Sequence, residues 1–209
     1  MVTSNHIHLL IVDTKQGSIA PGLQLIEGRV GQEYNNRKKR DGAFWSDSYH
    51  AKIIDTDNYL RECMLYIDLN MVRTGVVSHP EKWIYCGYFD IHCRQRSNLI
   101  IDENLLRSYL GFTPVESFKN EYPQWINQTL QKGKQRREKH WSESIAVGTA
   151  SFLETIQAEL GLRGKNRTID EIEELNILHE PMAYYNGIDI TVENPYLIGK
   201  NTVNINLTD

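Results

Sequence analysis

The sequence predicts an α+β fold on three observations. Residues 5–12 (NHIHLLIV) and 43–54 (AFWSDSYHAKII) are continuous apolar or rich in aromatic and β-branched residues, the pattern of strands. Apolar residues recur at helical spacing between these segments and again directly after them. Beyond residue 100 the spacing is helical once more, over 102–110, 114–132 and 144–160. A chain of 209 residues, 40% hydrophobic and 24% charged, suits a soluble globular protein of one large domain or one domain with an appendage.

Taken in order, the strand at 5–12 is apolar apart from His6 and His8, which implies burial of at least one face. Asp13 to Ser18 is turn chemistry. From about Ser18 to Asn36, Leu23, Ile26, Val30 and Tyr34 form the stripe of an amphipathic helix, which Gly22, Gly28 and Gly31 weaken by roughly 1 kcal/mol each. Arg37 to Gly42 reads as a basic loop, and 43–54 as the second strand. Asp55-Thr56-Asp57 is a capping cluster for a helix whose stripe is Leu60, Met64, Ile67 and Met71. Gly75 closes that helix. Residues 76–83 connect, with a turn at Pro80, and 84–100 are mixed. Gly161 to Arg167 is a turn, and the tail from Thr168 is acidic and then loses periodicity, as a loop or fraying extension does.

The net charge of -4 is unevenly spread. Residues 1–140 hold 19 Lys and Arg against 16 Asp and Glu, while 141–209 hold 4 against 11. The positive charge is bunched at Arg37-Lys38-Lys39-Arg40 and from Lys132 to Lys139, so local phosphate binding is compatible with an acidic whole. No apolar run approaches the ~20 residues of a membrane span, and the start lacks the basic region of a signal peptide. Cys63, Cys86 and Cys93 make no CxxC pair and no even set, which points to reduced thiols.

Two clusters bear chemistry. His6 and His8 point to one side of a strand, because side chains alternate with period two. Such a pair serves packing or begins a metal site. Tyr66 and Asn70 lie four apart on the helix after Asp57, hence on one face. That face also carries Glu62 and lies off the apolar stripe, so Tyr66 reads as a tyrosine on a polar face.

Three stretches, NHIHLL, GAFWSDSYHAKI and YLRECMLYIDLNMVRTGVV, resemble in order and spacing the HUH single-tyrosine transposases, most closely the REP-associated tyrosine transposases of bacteria. The segment WSESIAVGTASFLETIQAELG at 141–161 looks like the C-terminal appendage of one subgroup. The resemblance implies a ferredoxin-like HUH core, an antiparallel sheet with helices on one face, incomplete at its N-terminus because the His-x-His strand begins so early. It implies a partial catalytic domain over 1–100, a mainly helical appendage over 101–170 and an acidic, weakly structured tail over 171–209, with exposed strand edges in the core.

By the same resemblance, Tyr66 matches the nucleophile and His6, His8 and Asn70 match the ligands of Mg²⁺ or Mn²⁺. Arg37, Lys38, Lys39, Arg40 and Arg73 stand where DNA is held. The implied activity is cleavage and rejoining of single-stranded or hairpin DNA through a 5′-phosphotyrosine intermediate. The implied setting is a bacterial cytoplasm, at the nucleoid and away from membrane, as monomer or homodimer. The alternative is a non-catalytic relic that recognises hairpin DNA.

Overall fold

The computed structural model describes residues 1–13, 15, 17–46, 49–93, 100–112, 115–133, 141, 144–165, 167–172, 175–179 and 202–206. Its strands are β1 (His8–Val12), β2 (His50–Ile54), β3 (Ala146–Gly148), β4 (Thr168–Ile172), β5 (Leu175–His179) and β6 (Thr202–Asn206). Its α-helices are α1 (Ile19–Lys38), α2 (Asn58–Asp68), α3 (Asn70–Arg73), α4 (Gly87–His92), α5 (Glu103–Tyr109), α6 (Val115–Gln131) and α7 (Ala150–Glu159). The α+β expectation is met.

The strands form one mixed sheet in the order β1-β6-β2-β3-β5-β4. β6 pairs antiparallel with both β1 and β2, from His8↔Asn206↔His50 to Val12↔Thr202↔Ile54, so β1 and β2 run parallel with one strand between them. β2 then pairs parallel with β3, at Ile53↔Ala146 and Ile54↔Val147. The sheet is therefore not wholly antiparallel. Nor are its helices confined to one face. Ile7, Leu9, Ile11 and Ala51 pack against Ile19 and Leu23 of α1, while Ala146, Leu178 and Ile53 pack against Leu153 and Ile156 of α7. The alternate residues Leu10, Ile54, Val147 and Ile177 face α2. Strand alternation thus dresses both faces, and α2 lies on the one opposite α1.

Several local expectations change. In α1 only Ile19 and Leu23 are buried; Ile26 and Val30, counted in its stripe, are half or more than a third exposed. The helix runs on through Arg37 and Lys38, which are the last turn of α1 rather than loop, and the loop begins at Lys39 in the left-handed region (φ 51°). The second strand starts at His50, not at residue 43: Phe44 and Trp45 instead pack on α1, where Trp45 Nε1 donates to the Glu27 carbonyl. No side chain of the Asp55-Thr56-Asp57 cluster caps α2. Asp55 Oδ2 accepts instead from Thr149 N and Oγ1 at the start of α7.

The helix expected over 144–160 begins only at Ala150, because Ala146 and Val147 complete the sheet. The tail, expected as loop, holds the β4–β5 hairpin and β6. Gly75 follows the helix end with φ 73°, as its role requires. The largest buried cluster joins Leu60, Met64, Leu65 and Leu69 of this region to Tyr88 and Ile91 of α4 and to Phe118, Tyr122, Trp125 and Ile126 of α6.

Candidate nucleophile and metal-ligand site

Tyr66 and Asn70 are not on one unbroken helix. α2 ends at Asp68, Leu69 has φ −87° and ψ 2°, and α3 starts at Asn70. Backbone bonds bridge the break, Leu69 N donating to the Leu65 carbonyl and Arg73 N to the Leu69 carbonyl. His6 likewise stands just before β1, next to Ile7, whose isolated bridge is with Val2.

These segments nevertheless converge. The His6 and His8 rings meet edge to face at 4.7 Å. The Asn70 amide nitrogen lies 3.1 Å from His8 Nε2, although the two residues are 62 apart in the chain. Its N–H donates when the imidazole proton is on Nδ1. Asn70 Oδ1 is buried with no hydrogen-bond partner among the described residues. His6 Nδ1 lies 2.9 Å from Asn5 Oδ1, an arrangement that leaves Nε2 as the ligating nitrogen when Nδ1 donates. In this pose the single acceptor nitrogen of His8 is taken by the Asn70 N–H, so His6, His8 and Asn70 become a donor set for a divalent ion only when the Asn70 amide turns its Oδ1 inward and releases His8 Nε2.

The His8 and Tyr66 rings are 6.0 Å apart, edge to face. Tyr66 is not on a polar face: it is 7% exposed and belongs to a cluster with Ile54, Cys63, Ile67, Trp141, Val147 and Ile177. Trp141 lies 5.7 Å from it, tilted by 31°. Arg73 sets its guanidinium 4.2 Å from the ring centroid and donates from Nη2 to the Tyr66 carbonyl, so it caps α2 and covers the phenol at once. Helical spacing sets Tyr66 off the stripe only while the helix stands alone; the sheet and Trp141 bury the other side.

Two residues at this site carry no role in the sequence pattern. Trp141, 1% exposed, is buried by groups far from it in the chain, so nothing local signals its place. Lys52, 4% exposed, directs its ammonium to 6.0 Å from the Trp141 ring. Here a signal exists: Lys52 shares strand parity with Ile54, which faces α2. Burial pushes the Cys63 thiol far up, against the opposing pull of Lys52.

The basic cluster is elsewhere. Arg37 and Lys38 end α1, whose buried residues pack on the face of the sheet opposite α2. Arg40 donates to the Ala43 carbonyl at 3.0 Å and lies 5.7 Å from the Tyr34 ring. The second run, Lys132 to Lys139, falls almost wholly outside the described residues. Tyr85 is exposed, whereas Tyr88 is buried packing. No described helix is long and apolar enough to cross a membrane. Comparison of the chain with protein-family models, with curated proteins and with solved structures gives no match.

Proposed function

We propose that the chain is a DNA-nicking and joining protein of the HUH single-tyrosine transposase type, of the REP-associated branch, built on a ferredoxin-like core and acting on single-stranded or hairpin DNA. The observation that carries this reading is the meeting of Tyr66, His6, His8 and Asn70, whose elements are distant along the chain. The proposal places it at the bacterial nucleoid in the cytoplasm, as monomer or homodimer.

The chemistry follows from the groups present. A phenol ionises near pH 10, so the attack needs its proton removed and the developing charge compensated. Tyr66 Oη forms a bond to phosphorus, the P–O3′ bond breaks, and the proton lost by the phenol is balanced by the one gained on the 3′-oxygen. The products are a 5′-phosphotyrosine and a free 3′-hydroxyl, and the reverse attack by another 3′-hydroxyl rejoins DNA with the phosphodiester energy conserved. His6, His8 and Asn70 would hold Mg²⁺ or Mn²⁺, which when bound supplies polarisation of the scissile phosphate. Arg73 orients the tyrosine through its stacking and its bond to the Tyr66 carbonyl. The cations at Arg37 to Arg40 serve as backbone contacts to the nucleic acid.

One observation favours the runner-up, a hairpin-binding protein without turnover. Tyr66 is 7% exposed, closed over by Trp141 and Arg73. A single experiment separates the two. Full-length chain, Mn²⁺ and end-labelled hairpin DNA are expected to give a denaturation-resistant adduct that Tyr66→Phe abolishes. DNA binding that survives with no adduct in the parent chain selects the runner-up.

A further inference from the structure

We infer that Asp68 is a positioning residue: anchored to Gly87 and Tyr122, it sets the break between α2 and α3 and so holds Asn70 against His8. The inference rests on reading Tyr66, His8 and Asn70 as one site. It concerns a residue that contributes no atom to the site itself.

Asp68 is 4% exposed and closes α2. Burying a carboxylate is costly unless donors surround it. Here Gly87 N donates to Oδ1 at 3.0 Å and the Tyr122 hydroxyl donates to Oδ2. A Cβ at Gly87 would stand 3.3 and 3.4 Å from the two carboxylate oxygens, tighter than an ordinary contact, so glycine is what lets the peptide come this close. Both partners belong to the helical layer beyond α2: Gly87 opens α4, and Tyr122, fully buried, lies within α6.

Direction decides the consequence. Asp68 reaches outward to α4 and α6, while Asn70 reaches inward to His8 of β1. Leu69, between them, carries the change of backbone angle. The chain is thus held from both sides of its break, and the outward anchor sets where the inward amide falls. Burial pushes the Asp68 carboxyl above the usual carboxylate range, with the Tyr122 and Gly87 hydrogen bonds drawing it back down. The same burial, with the charge of Asp68, raises the Tyr122 hydroxyl well above its ordinary value.

The test uses full-length chain and two readouts that need no DNA. The first is the ¹⁵N resonance of His8 Nε2, which reports its contact with Asn70. The second is binding of Mn²⁺ alone, followed by calorimetry. Tyr122→Phe removes one anchor and keeps the ring; it is expected to shift His8 Nε2 in the direction that Asn70→Ala does and to weaken Mn²⁺ about 10-fold or more. Asp68→Asn retains a hydrogen-bonding partner for both Gly87 and Tyr122 and is expected to stay within about twofold of the parent. Ile126→Ala, in the same core and with an aliphatic side chain that makes no hydrogen bond to the carboxylate, controls for lost stability and is expected to leave His8 in place.

A His8 resonance unmoved by Tyr122→Phe, or moved as far by Ile126→Ala, overturns the inference. Absence of a Tyr66 adduct in the parent chain overturns the proposed reaction instead, and the His8 resonance still judges Asp68.

Discussion

Besides the apolar cluster that buries it, Tyr66 meets the indole of Trp141, the guanidinium of Arg73 and the imidazole of His8. Trp141 is among the largest fully buried side chains, so Trp141→Ala is expected to cost roughly 3–5 kcal/mol in denaturant unfolding. His92 offers a second residue-level test. Burial pulls its pKa below the ordinary 6.5, Lys119 adds to that, and Glu103 opposes it. A depressed histidine is neutral in the fold while the unfolded chain still takes up a proton. Its contribution is therefore complete above pH 6.5 and is lost as pH falls from there through the lower folded value. Urea unfolding is expected to show the parent losing stability relative to His92→Gln as pH falls below about 6.5, the ordinary histidine value; equal losses in the two would remove His92 as the cause.

At the scale of elements, the break at Leu69 and the stop at Gly75 shape the segment that holds Tyr66 and Asn70. Gly75 sits at φ 73°, and a Cβ there would meet nothing within 4 Å, so the cost of Gly75→Ala is conformational only. It is expected at about 1–2 kcal/mol, measured by thermal or urea unfolding. α1 shows the opposite balance. Its exposed Leu25, Ile26 and Val30 follow from the small area the sheet offers it, since only its first turns meet β1 and β2. Residues 146–148 fit a helical count, because Ile145, Val147 and Phe152 are compatible with one. Three residues are too few for period two to be recognised, and only pairing with Ile53, Ile54 and β5 makes them a strand.

Over the whole molecule, charge is segregated along the sequence. On the proposed reading, the cations at the end of α1 contact phosphates despite the acidic total, and each such contact makes binding depend on salt through counterion release. Replacing Arg37, Lys38 and Lys39 together by alanine is expected to lower the slope of log K against log salt by about 2 for single-stranded DNA, at ~0.7 per phosphate contact. An unchanged slope would place the nucleic acid elsewhere. The sheet, too, is a whole-chain property. Residues 202–206 pair between β1 and β2, separated from them by most of the sequence, so β1 has a partner on one side while β1 and β4 remain the edges of the sheet.

The α+β class, β1, the body of α1, the helix start near Asn58, its stop at Gly75 and the helices α5 and α6 were legible in the sequence, because each follows from spacing and turn residues within about 20 positions, although the expected cap of the helix at Asn58 is not made. The candidate site was legible in identity, through His6, His8, Tyr66 and Asn70, but not in environment. Trp141 over the phenol, Asp68 anchored to Gly87 and Tyr122, and helices on both sides of a mixed sheet were decided by tertiary structure alone. The physical reason is that local pattern specifies which face of an element is apolar, whereas burial, hydrogen-bond partner and sheet order depend on contacts between residues tens of positions apart.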